Sequence, residues 1–329
     1  SPNVVETTAG THLGKTVFVF PGQGSQWARM GVDLYESSPV FAEHLTACAR
    51  ALEPFTGWNL IDVLTEADGA PGFDRVDVVQ PALFAMMVSL ARLWQSLGIR
   101  PDAVIGHSQG EIAAAHIAGA LTLEDAARVV TLRAQSLSVI TGRGGMMSLP
   151  LSRQATADLI TRWDGQLAIA AANGPASTVV SGDTEALDEL FAHCQDNNIR
   201  ARKIPVDYAS HGPHVEAIHD QLLDVLAPVS PVKPEIAFYS TVAGHGDGPL
   251  DAEYWYQNLR NTVEFEATTR QLLDDGHTLF IEASAHPVLT LGISETIEDH
   301  APTTDTRVTG TLRRDEGTWH RVLTSLATA

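Results

Sequence analysis

Residues Gly106-His107-Ser108-Gln109-Gly110 fit the pattern G-x-S-x-G. A serine flanked in this way can accept an acyl group. The glycines permit a tight turn that lifts the hydroxyl off the backbone. A helix starting there offers N–H groups and a positive dipole end to a developing oxyanion. The pattern also occurs in ordinary loops, so its surroundings decide. Here 103–105 reads as a short apolar strand and 111–120 as an Ala-rich helix. That strand–turn–helix context is the one a nucleophile elbow needs.

A nucleophilic serine needs a base. The chain has 13 histidines, and most histidines are satisfied surface or core groups. His211 stands out in Tyr208-Ala209-Ser210-His211-Gly212-Pro213, at the end of an inserted unit described below. Residues at such a junction can face a cleft. His286 and His107 are its rivals. His211, His214 and Glu216 can also be read as metal ligands, but H-E-x-x-H and a matching cysteine set are absent, and no metal is expected.

Arg133 lies in an apolar helical stretch. It reads either as an arginine whose stem packs while its head reaches solvent, or as a clamp for a carboxylate. A clamp suits an acyl group carrying a free acid and has no use in an esterase of neutral chains. Pro21-Gly22-Gln23-Gly24-Ser25-Gln26 follows the first apolar strand, 15–20. Its glycines could bring backbone N–H groups or Gln23 to an acyl oxygen, or form a turn with no ligand. It is neither a P-loop nor the dinucleotide fingerprint.

The elements that must position these residues follow from periodicity and punctuation. Helices are predicted over 81–97, with Pro81 at the start and Gly98 past the end, and over 123–140. From 145 to 206 the rhythm changes: strand 146–149, helix 152–163, strands 167–172 and 178–181, helix 184–196, strand 199–206. This β-α-β-β-α-β order is ferredoxin-like. Further buried strands are predicted at 236–240 and 278–282. The expected layout is a linker or disordered segment at 1–14, then a large subdomain at 15–144 and 207–310. A small subdomain at 145–206 interrupts it, and 311–329 begins a following linker.

Composition narrows the function classes. At 44% hydrophobic and 19% charged residues, the 329-residue chain can bury a sizeable core. Lys and Arg number 21 against 40 Asp and Glu, a net charge of −19. That disfavours binding to nucleic acid, which needs basic groups on phosphates, and to anionic membranes. No uninterrupted apolar run of membrane-spanning length and no signal peptide is visible. Cys48 and Cys194 make no disulfide framework. A cytoplasmic location is expected, and the non-Met start suggests a piece of a longer polypeptide.

Taken together, the motifs resemble the malonyl-CoA:acyl-carrier-protein transacylase family, and more closely the acyltransferase domain of a modular type I polyketide synthase. The resemblance rests on Phe20–Gln26, Gly106–Glu111, Arg133 and Tyr208–His211. Gln80–Phe84, Gly142–Met147, Tyr254–Arg260 and Glu282–Pro287 fit in the right order, so it spans about 17–314. It implies an α/β-hydrolase-like core with an inserted ferredoxin-like subdomain. It implies Ser108 as nucleophile and His211 as base, the latter oriented by backbone carbonyls rather than an acid. Gln23 and the Gln109 N–H would form the oxyanion hole, and Arg133 would hold the carboxylate of an extender unit.

The implied substrates are an acyl-CoA and the phosphopantetheine thiol of an acyl carrier protein, with no permanently bound cofactor. Ketosynthase and linker domains would be neighbours in the same polypeptide. Tyr208, Ser210 and Gln109, with 75–80, resemble methylmalonyl-selecting members, and ethylmalonyl or a larger unit stays open. A thioesterase or esterase is the alternative enzyme reading. A docking domain with a vestigial pocket is the non-enzyme one.

Overall fold

The computed structural model of the chain describes residues 14–329, so the predicted leading segment lies outside it except for Gly14. Among these residues the strands are β1 (Lys15–Phe20), β2 (Ala103–Gly106), β3 (Gly145–Leu149), β4 (Leu167–Gly174), β5 (Ser177–Gly182), β6 (Arg202–Ile204), β7 (Ala237–Tyr239), β8 (His277–Glu282) and β9 (Arg307–Gly310).

β1 is apolar on both faces. Phe18 and Phe20 enter one core, and Val17 and Val19 enter the other. Such a strand belongs inside a sheet covered by helices on both sides. It does so here, in a five-stranded sheet of order β7-β2-β1-β8-β9 with every neighbouring pair parallel. The order places the earliest strand in the middle, so the winding direction reverses between β1 and β8. Ligand sites in such sheets form outside the carboxyl ends of the strands, near a reversal. The Gln23 turn leaves β1 there, and the Ser108 turn leaves β2.

The second sheet is antiparallel, of order β4-β5-β3-β6. Helices Arg153–Ile160 and Thr184–Asp196 close it around Met147, Leu149, Trp163, Val180 and Leu190. The fold is therefore the expected α/β one, a parallel sheet with helices plus a small ferredoxin-like unit. The two ends of that unit meet, since the Gly142 N–H donates to the Asp207 carbonyl at 2.6 Å. β4 also sits directly on the large subdomain. The Val263 N–H donates to Ala170 O at 2.9 Å, and the Ala172 N–H donates to Val263 O at 3.0 Å.

Two boundaries differ from expectation. The helix predicted from Pro81 runs Val76–Ser96, with Pro81 inside it. An interior proline costs about 3 kcal/mol, and burial of Val78, Val79 and the residues beyond offsets that. This helix is long and apolar enough to cross a membrane, but 83% of its most apolar window is buried inside the protein. The strand predicted over 199–206 pairs only through Arg202–Ile204, because the Ile199 N–H instead closes the preceding helix onto Cys194 O at 2.8 Å. Residues 311–329 pack on the large subdomain. Trp94 Nε1 donates to Thr311 Oγ1 at 2.8 Å, and Ser325 of helix Trp319–Thr328 donates to Thr311 O at 2.9 Å.

Candidate active site

The turn after β2 holds Ser108 at φ 54°, a left-handed conformation unusual for a residue with a side chain. The flanking glycines are needed for closeness. A Cβ on Gly106 would lie 2.2 Å from the Glu111 nitrogen, and one on Gly110 would lie 2.0 Å from Phe20 O. Helix Gly110–Ile117 starts at once, and its first amides close the turn: the Gly110 N–H donates to His107 O at 2.9 Å and the Glu111 N–H to Ser108 O at 3.1 Å.

Ser108 Oγ lies 2.7 Å from His211 Nε2. His211 also has a left-handed backbone, φ 57°. Its N–H donates to Leu259 O at 2.9 Å, and its Nδ1 lies 2.9 Å from Asn261 O. A carbonyl can only accept, so Nδ1 carries the proton and Nε2 is free to take one from the serine. Burial pushes the imidazole pKa down to about 3, helped by the positive charge of Arg133 and by His107. The ring is therefore a neutral base at ordinary pH. Its rivals are engaged elsewhere. His107 Nε2 meets Asn173 Oδ1 of β4 at 2.8 Å, and His286 Nδ1 accepts the Arg314 N–H at 3.2 Å. His214 pairs with Asp183, and Glu216 pairs with Arg260. Among the described residues no cluster of three His, Cys, Asp or Glu could hold a metal.

Arg133 is 0% exposed, which excludes the reading that its head reaches solvent. Its Nη2 donates to Ser108 Oγ at 3.2 Å and to Asn258 Oδ1 at 3.2 Å, and its Nη1 donates to Gln80 Oε1 at 3.3 Å. Its Nε has no partner. Burial lowers its pKa to about 10, so it stays charged at neutral pH. Among the described residues this buried cation makes no ion pair with a carboxylate, an arrangement that costs stability unless an anion joins it.

Gln23 is half-buried beside this cluster. Its Oε1 accepts from the Tyr208 hydroxyl at 3.1 Å, which leaves its Nε2 hydrogens for another acceptor. A groove of about 520 Å³ opens there, lined by Gln23, Arg75, Asp77, Pro205 and Tyr208 among others. Ser210 is buried, its Oγ 3.4 Å from Met146 Sδ. The Gln109 side chain is buried with neither amide atom partnered. Asn258, Glu111 and Gln80 border Ser108 and Arg133; the sequence reading gave Asn258 and Glu111 no role and took Gln80 only as part of the 75–80 and Gln80–Phe84 segments.

The Acyl transferase domain family model matches residues 17–329. The chain belongs to that family. This acyl transferase is 55% identical over 323 residues to Polyketide synthase GfsE of Streptomyces halstedii, covering 95% of the chain but only 8% of that protein. It thus spans less than a tenth of that relative. The acyltransferase domain from module 8 of the salinomycin polyketide synthase is 58% identical, with a TM-score of 0.92 over 95% of this chain and 74% of that one. A loading acyltransferase from the avermectin modular polyketide synthase is 47% identical, with a TM-score of 0.90 over 95% and 98% of the two chains.

Proposed function

We propose that this acyl transferase moves an extender unit, methylmalonyl by preference, from coenzyme A to the phosphopantetheine thiol of an acyl carrier protein. The observation that carries the proposal is Arg133: a fully buried cation 3.2 Å from the nucleophile's oxygen and without a carboxylate partner among the described residues. An acyl group ending in a free acid would supply that partner. A hydrolase of neutral esters would have no use for it.

The chemistry runs in two halves. Ser108 Oγ attacks the thioester carbonyl while His211 Nε2 takes its proton. The tetrahedral oxyanion is held by the Gln109 N–H and the Gln23 amide, each such donor being worth about 3–4 kcal/mol. The C–S bond breaks, and coenzyme A leaves with the proton from His211. The carrier thiol then attacks the acyl-serine, His211 taking its proton and returning it to Ser108. Alternation of the two acceptors makes the kinetics ping-pong. Tethering of the carrier in one polypeptide would raise its effective concentration and offset repulsion between acidic surfaces.

For the α-substituent, Ser210 leaves room that a larger residue would take. One methyl is worth about 1–3 kcal/mol in such a pocket. The test is a competition among malonyl-, methylmalonyl- and ethylmalonyl-CoA, read as the intact mass on Ser108. Methylmalonyl should dominate. Label on a Ser108→Ala variant, or none on the native chain, would refute the mechanism.

A further inference from the structure

We propose that Asn258 is a positioning residue: anchored by the buried carboxyl of Glu111, it fixes the direction of the Arg133 guanidinium and thereby the preference for acyl groups that carry a free acid. This rests on the reading of Arg133 as the carboxylate clamp.

Asn258 belongs to helix Ala252–Arg260 and is 1% exposed. Its Oδ1 accepts from Arg133 Nη2 at 3.2 Å. Its Nδ2 donates to Glu111 Oε2 at 2.9 Å and to the Ser108 carbonyl at 3.2 Å. An amide has one accepting end and one donating end. Two acceptors on the nitrogen side therefore leave only the carbonyl end to face Arg133. Glu111 is itself held fast. Its Oε1 accepts the Thr241 N–H at 2.5 Å and the Thr241 hydroxyl at 2.6 Å, and its Oε2 also accepts from the Tyr254 hydroxyl. All four side chains are buried. A connected set of hydrogen bonds thus runs from Thr241 and Tyr254 through Glu111 and Asn258 to the guanidinium, where Gln80 supplies a second carbonyl oxygen.

The choice of acceptors has a chemical consequence. A carboxylate placed directly on Arg133 would neutralise it and compete with the acid group of the acyl unit. Neutral amide oxygens orient the guanidinium without spending its charge. The nearby carboxyl stays one hydrogen bond further back, with Asn258 between.

Asn258→Asp tests this, since it keeps the shape but replaces the amide with a carboxylate. Asn258→Ser adds no charge beside Glu111 and carries the test should the Asp variant fail to fold, as read by a thermal melt. Second-order rates of Ser108 acylation are measured with methylmalonyl-CoA and propionyl-CoA, which differ only by the carboxylate. The methylmalonyl-to-propionyl ratio should fall mostly through KM for methylmalonyl-CoA, in the Asp variant because its carboxylate competes for the guanidinium, and in the Ser variant by about 10- to 100-fold, the range for losing a hydrogen bond to a charged group. Equal losses for both donors would mean plain structural support and overturn the proposal. Arg133→Ala is the reference. If it leaves the ratio unchanged, the clamp reading itself fails. If it collapses the ratio while the folded Asn258 variants do not, only the role of Asn258 fails.

Discussion

Replacing Arg133 by alanine separates recognition of the acid from the acyl chemistry. The guanidinium has five N–H bonds. Three are used, by Gln80, Ser108 and Asn258; the Nε–H has no partner and shares an edge with Nη2, so an incoming carboxylate that replaces Ser108 on Nη2 can take two. A hydrogen bond to a charged group contributes about 1.5–3 kcal/mol. Two of them amount to about 3–6 kcal/mol, or about 10² to 10⁴ in relative kcat/KM. The same substitution removes a buried cation that propionyl-CoA cannot satisfy, so that donor should lose far less or gain. Both donors are offered together to the native and Arg133→Ala chains, and the two acyl-serine masses are followed through the pre-steady state. The native chain should carry mainly methylmalonyl and the variant mainly propionyl. Parallel losses of the two acyl-enzymes would refute the assignment.

Four other outcomes follow from the same geometry. With its pKa near 3, His211 is neutral over the working range, so acylation of the free enzyme should show no acid limb near 6.5. A bound carboxylate offsets the charge of Arg133, so the acid limb of kcat should lie higher for methylmalonyl-CoA than for propionyl-CoA. Because the folded pKa lies below the unfolded value, the unfolded chain binds the extra proton. This group's contribution to stability is thus present above about 6.5 and lost as pH falls toward 3. Rapid-quench acylation and thermal melts across pH check both signs. Ser210→Phe should crowd the α-methyl and move the malonyl-to-methylmalonyl ratio by about 10- to 200-fold toward malonyl. An unchanged ratio in the competition assay would remove Ser210 from selectivity.

Much of the site was legible because it lies in short local patterns. The glycines around Ser108 announce a turn, and the structure shows the backbone contacts that demand them. β1 was visible because a parallel strand buried on both faces is apolar throughout. The ferredoxin-like unit was visible because its strands and helices alternate in one uninterrupted run. Less legible were partners far apart in sequence. Asn258 meets Arg133 across 125 positions and Glu111 across 147, and no local pattern encodes such a meeting. β9 was missed as a short segment, Arg307–Gly310, with only Thr309 buried. The true start of the helix Val76–Ser96 was hidden because proline is a helix-start signal that tertiary burial overrode.

The junction between Gly142 and Asp207 has an implication for exchanging parts between related enzymes. The small unit leaves and re-enters the larger body through a single hydrogen-bonded gate. Ser108 and His211 both stand outside that gate, on segments the large body anchors for itself. A transplant of 145–206 that keeps the gate, the Asn173 contact and the edge laid along Val263 would change the small unit and leave the Ser108–His211 pair in place.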